Sequence, residues 1–128
     1  MLSPAAPAGP VDIVHAWAGC DARLLDASRE SGARGIVVAA MGRGNVPPDM
    51  VPGIERWIAE GKPVVVASRA GSGRVGQTYA YPGGGRRLAD LGAIFAGSRR
   101  PQQARIDLVL ALGAGLGGAD LRGVFAGW

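Results

Sequence analysis

Threonine, lysine, asparagine, histidine and cysteine each occur once in this 128-residue chain, and that scarcity narrows the chemistry before any motif is read. The single cysteine, Cys20, has no partner for an intramolecular bridge. No disulfide framework is therefore expected, and an unpaired thiol suits a reducing compartment, so the cytoplasm is the expected location. One histidine, His15, leaves a metal site without a second imidazole, and no metal or other cofactor is expected. Aromatic residues make up 5% of the chain and do not interleave with basic ones, so neither a stacking platform nor a phosphate-tracking stripe can be assembled. The net charge of +4 is spread over single arginines and the pairs Arg86/Arg87 and Arg99/Arg100, and nucleic-acid binding is not expected. Apolar runs such as 35–41 and 63–67 fall far short of the roughly 20 residues that span a bilayer, which excludes a membrane-inserted helix.

What the chain does have is 48% hydrophobic residues, enough for one core, in a length that suits one domain. Residues 1–10 are rich in Pro and Ala without apolar periodicity and read as a flexible lead-in or linker remnant, with the domain proper at 11–128. Removal of that lead-in is expected to leave stability nearly unchanged. Val11 to Ala18 has strand composition, and Asp21 is placed to cap a helix running to Ala33 with Ala22, Leu24, Leu25, Ala27 and Ser28 as its inner stripe. Gly35 to Met41 and Pro63 to Ala67 are short, uninterrupted apolar runs of the kind found in parallel strands covered on both faces. Between them Pro47, Pro48 and Asp49 open a helix that Gly61 ends. Further helices are expected at 86–91, 101–112 and 119–125, with a fourth short strand at 93–96. This order implies an α/β, three-layer domain: a small parallel sheet flanked by helices, joined by right-handed crossovers.

In such sheets ligands lie beyond the carboxyl ends of the strands, which directs attention to the loops at 18–21, 42–48 and 68–85. Gly71-Ser72-Gly73-Arg74-Val75-Gly76 matches the dinucleotide-binding pattern GxGxxG and follows a strand, but the next residues do not open a helix. A flexible loop is the simpler reading. Gly83 to Gly85, followed by Arg86 and Arg87, reads as a turn before a helix or as an anion-holding helix start. His15 reads as a core or sheet-edge histidine and Cys20 as small buried filler, because no orienting third group completes a thiol–imidazole pair. Asn45 stands in a glycine-containing loop at the end of the second strand. There an amide can donate to and accept from a ligand, or serve as a turn residue at positive φ.

Several segments, in order, resemble the C-terminal domain of the bacterial L-asparaginase/glutaminase family. They are Val11-Asp12-Ile13-Val14, Gly35 through Asn45 (GIVVAAMGRGN), Pro63 through Arg69 (PVVVASR), Pro101-Gln102-Gln103-Ala104-Arg105-Ile106 and Leu121-Arg122-Gly123-Val124-Phe125. The glycine-asparagine loop, the Ser-Arg ending the next strand and the Pro-Gln-x-Ala-Arg helix start are jointly specific. The resemblance implies a hydrolase that converts asparagine, in some members glutamine, to the acid and ammonia through a threonine nucleophile. In the family two threonines, a Lys-Asp pair and a tyrosine carry that reaction, all from the N-terminal domain. With Thr78 and Lys62 as its sole threonine and lysine, this chain cannot rebuild that machinery, and no catalytic residue is assigned in it.

The resemblance gives Asn45 a role in holding the amino-acid end of the substrate, within an active site completed by a neighbouring subunit. The implied partners are an N-terminal asparaginase domain or neighbouring subunit and a small amino-acid substrate, in an assembly compatible with a homo-oligomer. Some members use a glutamate from the loop matching 73–81 to bind the substrate's amino group, whereas this chain has no acidic residue between Glu60 and Asp90. Two other functions remain open on the residues alone. One is an independent amino-acid-binding module, the other a nucleotide-binding module using the GxGxxG.

Overall fold

The structure, a computed structural model, describes residues 7–69 and 83–126. Four strands, β1 (Val11–His15), β2 (Gly35–Ala40), β3 (Val64–Ser68) and β4 (Ile94–Phe95), form one sheet in the order β1-β2-β3-β4, and every neighbouring pair is parallel. The valine-rich composition explains the central pair: all six residues of β2 and all five of β3 are buried, as strands covered on both faces must be. Helices α1 (Arg23–Glu30), α2 (Val51–Ala59) and α3 (Gly85–Leu91) cover one face, around Leu25, Ile54, Trp57 and Leu88. Helices α4 (Pro101–Gly113) and α5 (Gly118–Phe125) cover the other, around Leu108, Ala111, Leu121 and Phe125. The three-layer α/β expectation is met.

Local differences have identifiable causes. The first helix is shorter than its apolar pattern suggested, and only Ala22, Leu25 and Ser28 of the expected stripe are buried, whereas Leu24 is 46% exposed. Asp21 does accept the Arg23 backbone N–H at 3.0 Å, but it stands one residue before the helix's flanking Ala22. On α4 the expected inner residue Ile106 is 55% exposed, because a helix lying on a sheet buries one arc, here Pro101, Ala104, Leu108 and Ala111.

The end of the lead-in is not loose. Ala8 is buried, its N–H donates to the Val109 carbonyl at 3.2 Å, and the Pro10 carbonyl accepts from Arg34 N–H at 2.8 Å. Apolar periodicity could not reveal this, since it rests on one small side chain and backbone hydrogen bonds.

Arg99 was also invisible as a structural residue. It is 4% exposed, pairs with Asp107 at 2.7 Å, and donates to the Val124 and Phe125 carbonyls at 2.7 and 3.2 Å, which ties the end of α5 to α4. A guanidinium supplies enough donors to satisfy the carbonyls a helix end leaves unpaired.

Candidate functional site

Beyond Ala40 the chain turns back on itself at the carboxyl end of β2. The Met41 N–H donates to the Asn45 carbonyl at 2.8 Å, and the Met41 carbonyl accepts from Asn45 N–H at 2.9 Å and Gly44 N–H at 3.1 Å. Gly42 and Gly44 take up the left-handed backbone at φ of +51° and +116°, and no non-glycine among the described residues has positive φ. Asn45 is thus not the residue that tolerates a strained turn; its glycine neighbours are.

The side chain of Asn45 is half-buried and has a defined orientation: Oδ1 accepts the Gly85 N–H at 3.3 Å, at the first residue of α3. The next residue continues the junction, with Val46 N–H donating to the Gly83 carbonyl at 2.8 Å. Gly83 has φ of +91°, and a Cβ there would collide with the Val46 carbonyl oxygen, so glycine is required by both conformation and space. Gly85 takes up one lone pair of the amide oxygen, and the Nδ2 donor of Asn45 makes no hydrogen bond among the described residues. The same end of the sheet carries the start of the next loop, since Arg69 N–H donates to the Ala40 carbonyl at 2.8 Å. Arg43 and Arg69 are both exposed there. The arrangement can donate hydrogen bonds to an anion, the chemistry needed to hold a carboxylate.

The other sequence candidates fall elsewhere. His15 is exposed at the end of the edge strand β1, and Cys20 is buried with its Sγ accepting from Trp17 N–H at 3.4 Å. No cluster of three or more metal-ligating side chains occurs among the described residues. The GxGxxG at 71–76, Thr78, and Tyr79 and Tyr81 lie outside the described residues. Gly83 to Gly85 forms the turn into α3 and touches Asn45, a junction 40 residues apart in sequence that reading along the chain could not supply. Grooves of about 200 Å³, between Lys62, Pro63 and Arg122, and about 510 Å³, between β1 and α1, do not include Asn45.

Residues 10–125 match the family model described as the glutaminase/asparaginase C-terminal domain. The chain belongs to the glutaminase/asparaginase family. Within this family it is 39% identical over 115 residues to a probable L-asparaginase of Deinococcus radiodurans, covering 90% of this chain and 34% of that protein. It is 35% identical over 106 residues to an L-asparaginase of Bacillus licheniformis, covering 83% of this chain and 33% of the relative. The crystal structure of a probable cytoplasmic L-asparaginase from Campylobacter jejuni superposes with a TM-score of 0.77 at 28% identity, over 94% of this chain and 37% of that one. This asparaginase C-terminal domain therefore spans about a third of its asparaginase relatives, 34% and 33% for the two bacterial enzymes.

Proposed function

We propose that this chain supplies the substrate-binding loops of an L-asparaginase-like amidohydrolase and works with an N-terminal domain that carries the threonine nucleophile. The observation that carries the reading is the Asn45 turn, which sits at the carboxyl end of β2 inside a family match extending from residue 10 to 125. The Nδ2 of Asn45 donates to the carboxylate of an amino-acid substrate while its oxygen holds the start of α3. Hydrolysis to the acid and ammonia is the work of the partner's nucleophile, because positioning groups without one leave the chemical barrier in place.

The partner is an N-terminal asparaginase domain, from the same protein or a neighbouring subunit, and the substrate is a small amino acid with a side-chain amide. Residues 1–10 lead toward that domain, with Ala8 already packed on α4, and 11–128 are the rest of the folded unit. The cytoplasm is the proposed location, in keeping with the single buried thiol and with the absence, among the described residues, of any helix long and apolar enough to cross a membrane. The test is reconstitution: this chain is mixed with the N-terminal part of an L-asparaginase, and ammonia release from asparagine and glutamine is followed. Activity of the mixture that neither part shows alone is the expected result. An N-terminal part whose activity is unaffected by this chain would refute the reading.

A further inference from the structure

The arginines form no basic run along the sequence, but the fold sorts them. Among the described residues, Arg23, Arg29, Arg56, Arg99, Arg105 and Arg122 are bound to carboxylates or backbone carbonyls. The other six described arginines are exposed and make no side-chain hydrogen bond or ion pair among the described residues. Five of these six lie at the carboxyl end of the sheet. Arg43 is in the turn after β2, two residues before Asn45, and Arg69 follows β3. Arg86 and Arg87 stand in the first turn of α3, whose start holds the Asn45 amide, and Arg100 precedes α4 where the chain has left β4. The sixth, Arg34, is at the amino end, just before β2. A compositional bias toward arginine would not select one end of the sheet.

These positions are unfavourable for the fold taken by itself. A helix presents unpaired N–H groups and positive charge at its start, which stabilise an acidic residue and disfavour a cation. Both α3 and α4 begin without a side-chain cap and without an acidic residue in the first turn. Arg86 and Arg87 stand there on α3, and Arg100 flanks the start of α4. The carboxylates in the loops at this end are Asp21, paired with Arg23 at 3.0 Å, and Asp49, which pairs with none of the five arginines. An arrangement of charge that weakens its own helices is explained by an anion that binds to it.

We propose that the carboxyl end of the sheet is a binding surface for single-stranded nucleic acid, with the arginines along its phosphates and Trp17 against a base. A lone carboxylate or phosphate engages one or two guanidinium groups. The five arginines instead extend over the ends of β2, β3 and β4 and over the starts of two helices that lie on opposite faces of the sheet. That breadth fits a chain of anions. Trp17 follows β1 at the same end and is 48% exposed, the one aromatic among the four large hydrophobic side chains left in solvent among the described residues. Trp17 and Arg43 are distant in sequence, but β1 and β2 pair in parallel and bring the loops after them side by side. An exposed indole beside unpaired arginines supplies the stacking surface that a base with no pairing partner uses and an acidic protein segment does not.

Binding at this surface does not depend on the amidohydrolase reading and is measured on the whole chain without turnover. Fluorescence anisotropy with a labelled oligouridylate should show an affinity that falls linearly with the logarithm of salt concentration, with a slope of about −0.7 for each phosphate contact. Arg43→Gln, Arg69→Gln, Arg86→Gln and Arg100→Gln should each weaken binding and make that slope shallower by about 0.7. Arg34→Gln, which removes an equally exposed and unpaired cation from the other end, should change neither. Trp17→Ala should weaken binding about tenfold at an unchanged slope. None of the arginine variants should lower the melting temperature, since each removes a cation without a partner, so lost binding is separable from lost fold. No affinity at low salt, an effect of Arg34→Gln equal to that of the others, or wild-type binding by Trp17→Ala would overturn the proposal. Equal affinity for polyglutamate would overturn it as well, by making the partner an acidic protein.

Discussion

Asn45 holds the start of α3 through its amide oxygen and, in the proposed function, offers Nδ2 to the substrate, and those roles separate by substitution. Asn45→Asp keeps an oxygen for the Gly85 N–H but replaces the Nδ2 donor with an anion. In a reconstituted enzyme it should lower kcat/KM more than Asn45→Ala, for which loss of one or two hydrogen bonds corresponds to about 1–3 kcal/mol, or roughly tenfold to a hundredfold. Thermal melting should move little for either. A large melting shift with unchanged kinetics would make Asn45 a turn residue alone. Gly83 is the residue on which the junction rests. Gly83→Ala adds a Cβ against the Val46 carbonyl oxygen at a backbone conformation that itself costs a non-glycine residue about 1–3 kcal/mol, and a clearly lowered melting temperature is expected. Asn45 could be singled out from sequence because it is the sole asparagine, placed after an apolar strand. The need for glycine at 83 could not, since the atom it avoids belongs to residue 46.

At the scale of elements, the seam between α1 and α2 combines close approach with charge pairing. A Cβ on Gly53 would come within 2.8 Å of the Ala22 Cβ and 3.1 Å of Leu25, neither of which can swing aside. Gly53→Ala should therefore force the helices apart and cost about 1–3 kcal/mol, seen as a lowered denaturant midpoint, despite alanine's better helix propensity. Across the same seam Arg56 makes two hydrogen bonds to Asp26, at 2.8 and 2.7 Å, and these hold the Asp26 carboxyl below its ordinary 3.8. A depressed folded-state pKa stabilises above the unfolded value, and the contribution is lost as pH falls through the folded value. Stability should thus begin to fall as pH drops below about 3.8, and Asp26→Asn should flatten that acid limb. Added salt should weaken the effect, because Asp26 and Arg56 retain 26% and 46% of their side-chain exposure. The apolar pattern located α1 and α2 but misjudged the inward residues of α1. Leu24 has the right spacing for burial, yet it overhangs the edge of the sheet, where no further strand of this chain lies beneath it among the described residues.

For the whole molecule, the chain by itself should release no ammonia from asparagine or glutamine, since it has one threonine and no second to pair with it. Turnover abolished by a mutation within this chain would contradict that. Deleting residues 1–9 should lower the melting temperature measurably rather than leave it unchanged, because Ala8 is buried and bonded to Val109; an unchanged melting curve would show that contact to be dispensable. The sequence by itself determined the layer architecture and the order of its strands and helices. Short valine-rich runs separated by helical periodicity admit few packings, since each buried face must be covered and each parallel connection must cross over one way. It also determined the family, through residues ordered along nearly the whole domain. The tertiary structure decided what contacts between distant residues control. These include the bond from Asn45 to Gly85, the burial of Arg99 against the end of α5, and the bond from Arg105 to the Val11 carbonyl. None of these leaves a trace in local composition or period, because each depends on which atoms two separate segments bring within hydrogen-bonding reach after the chain has folded.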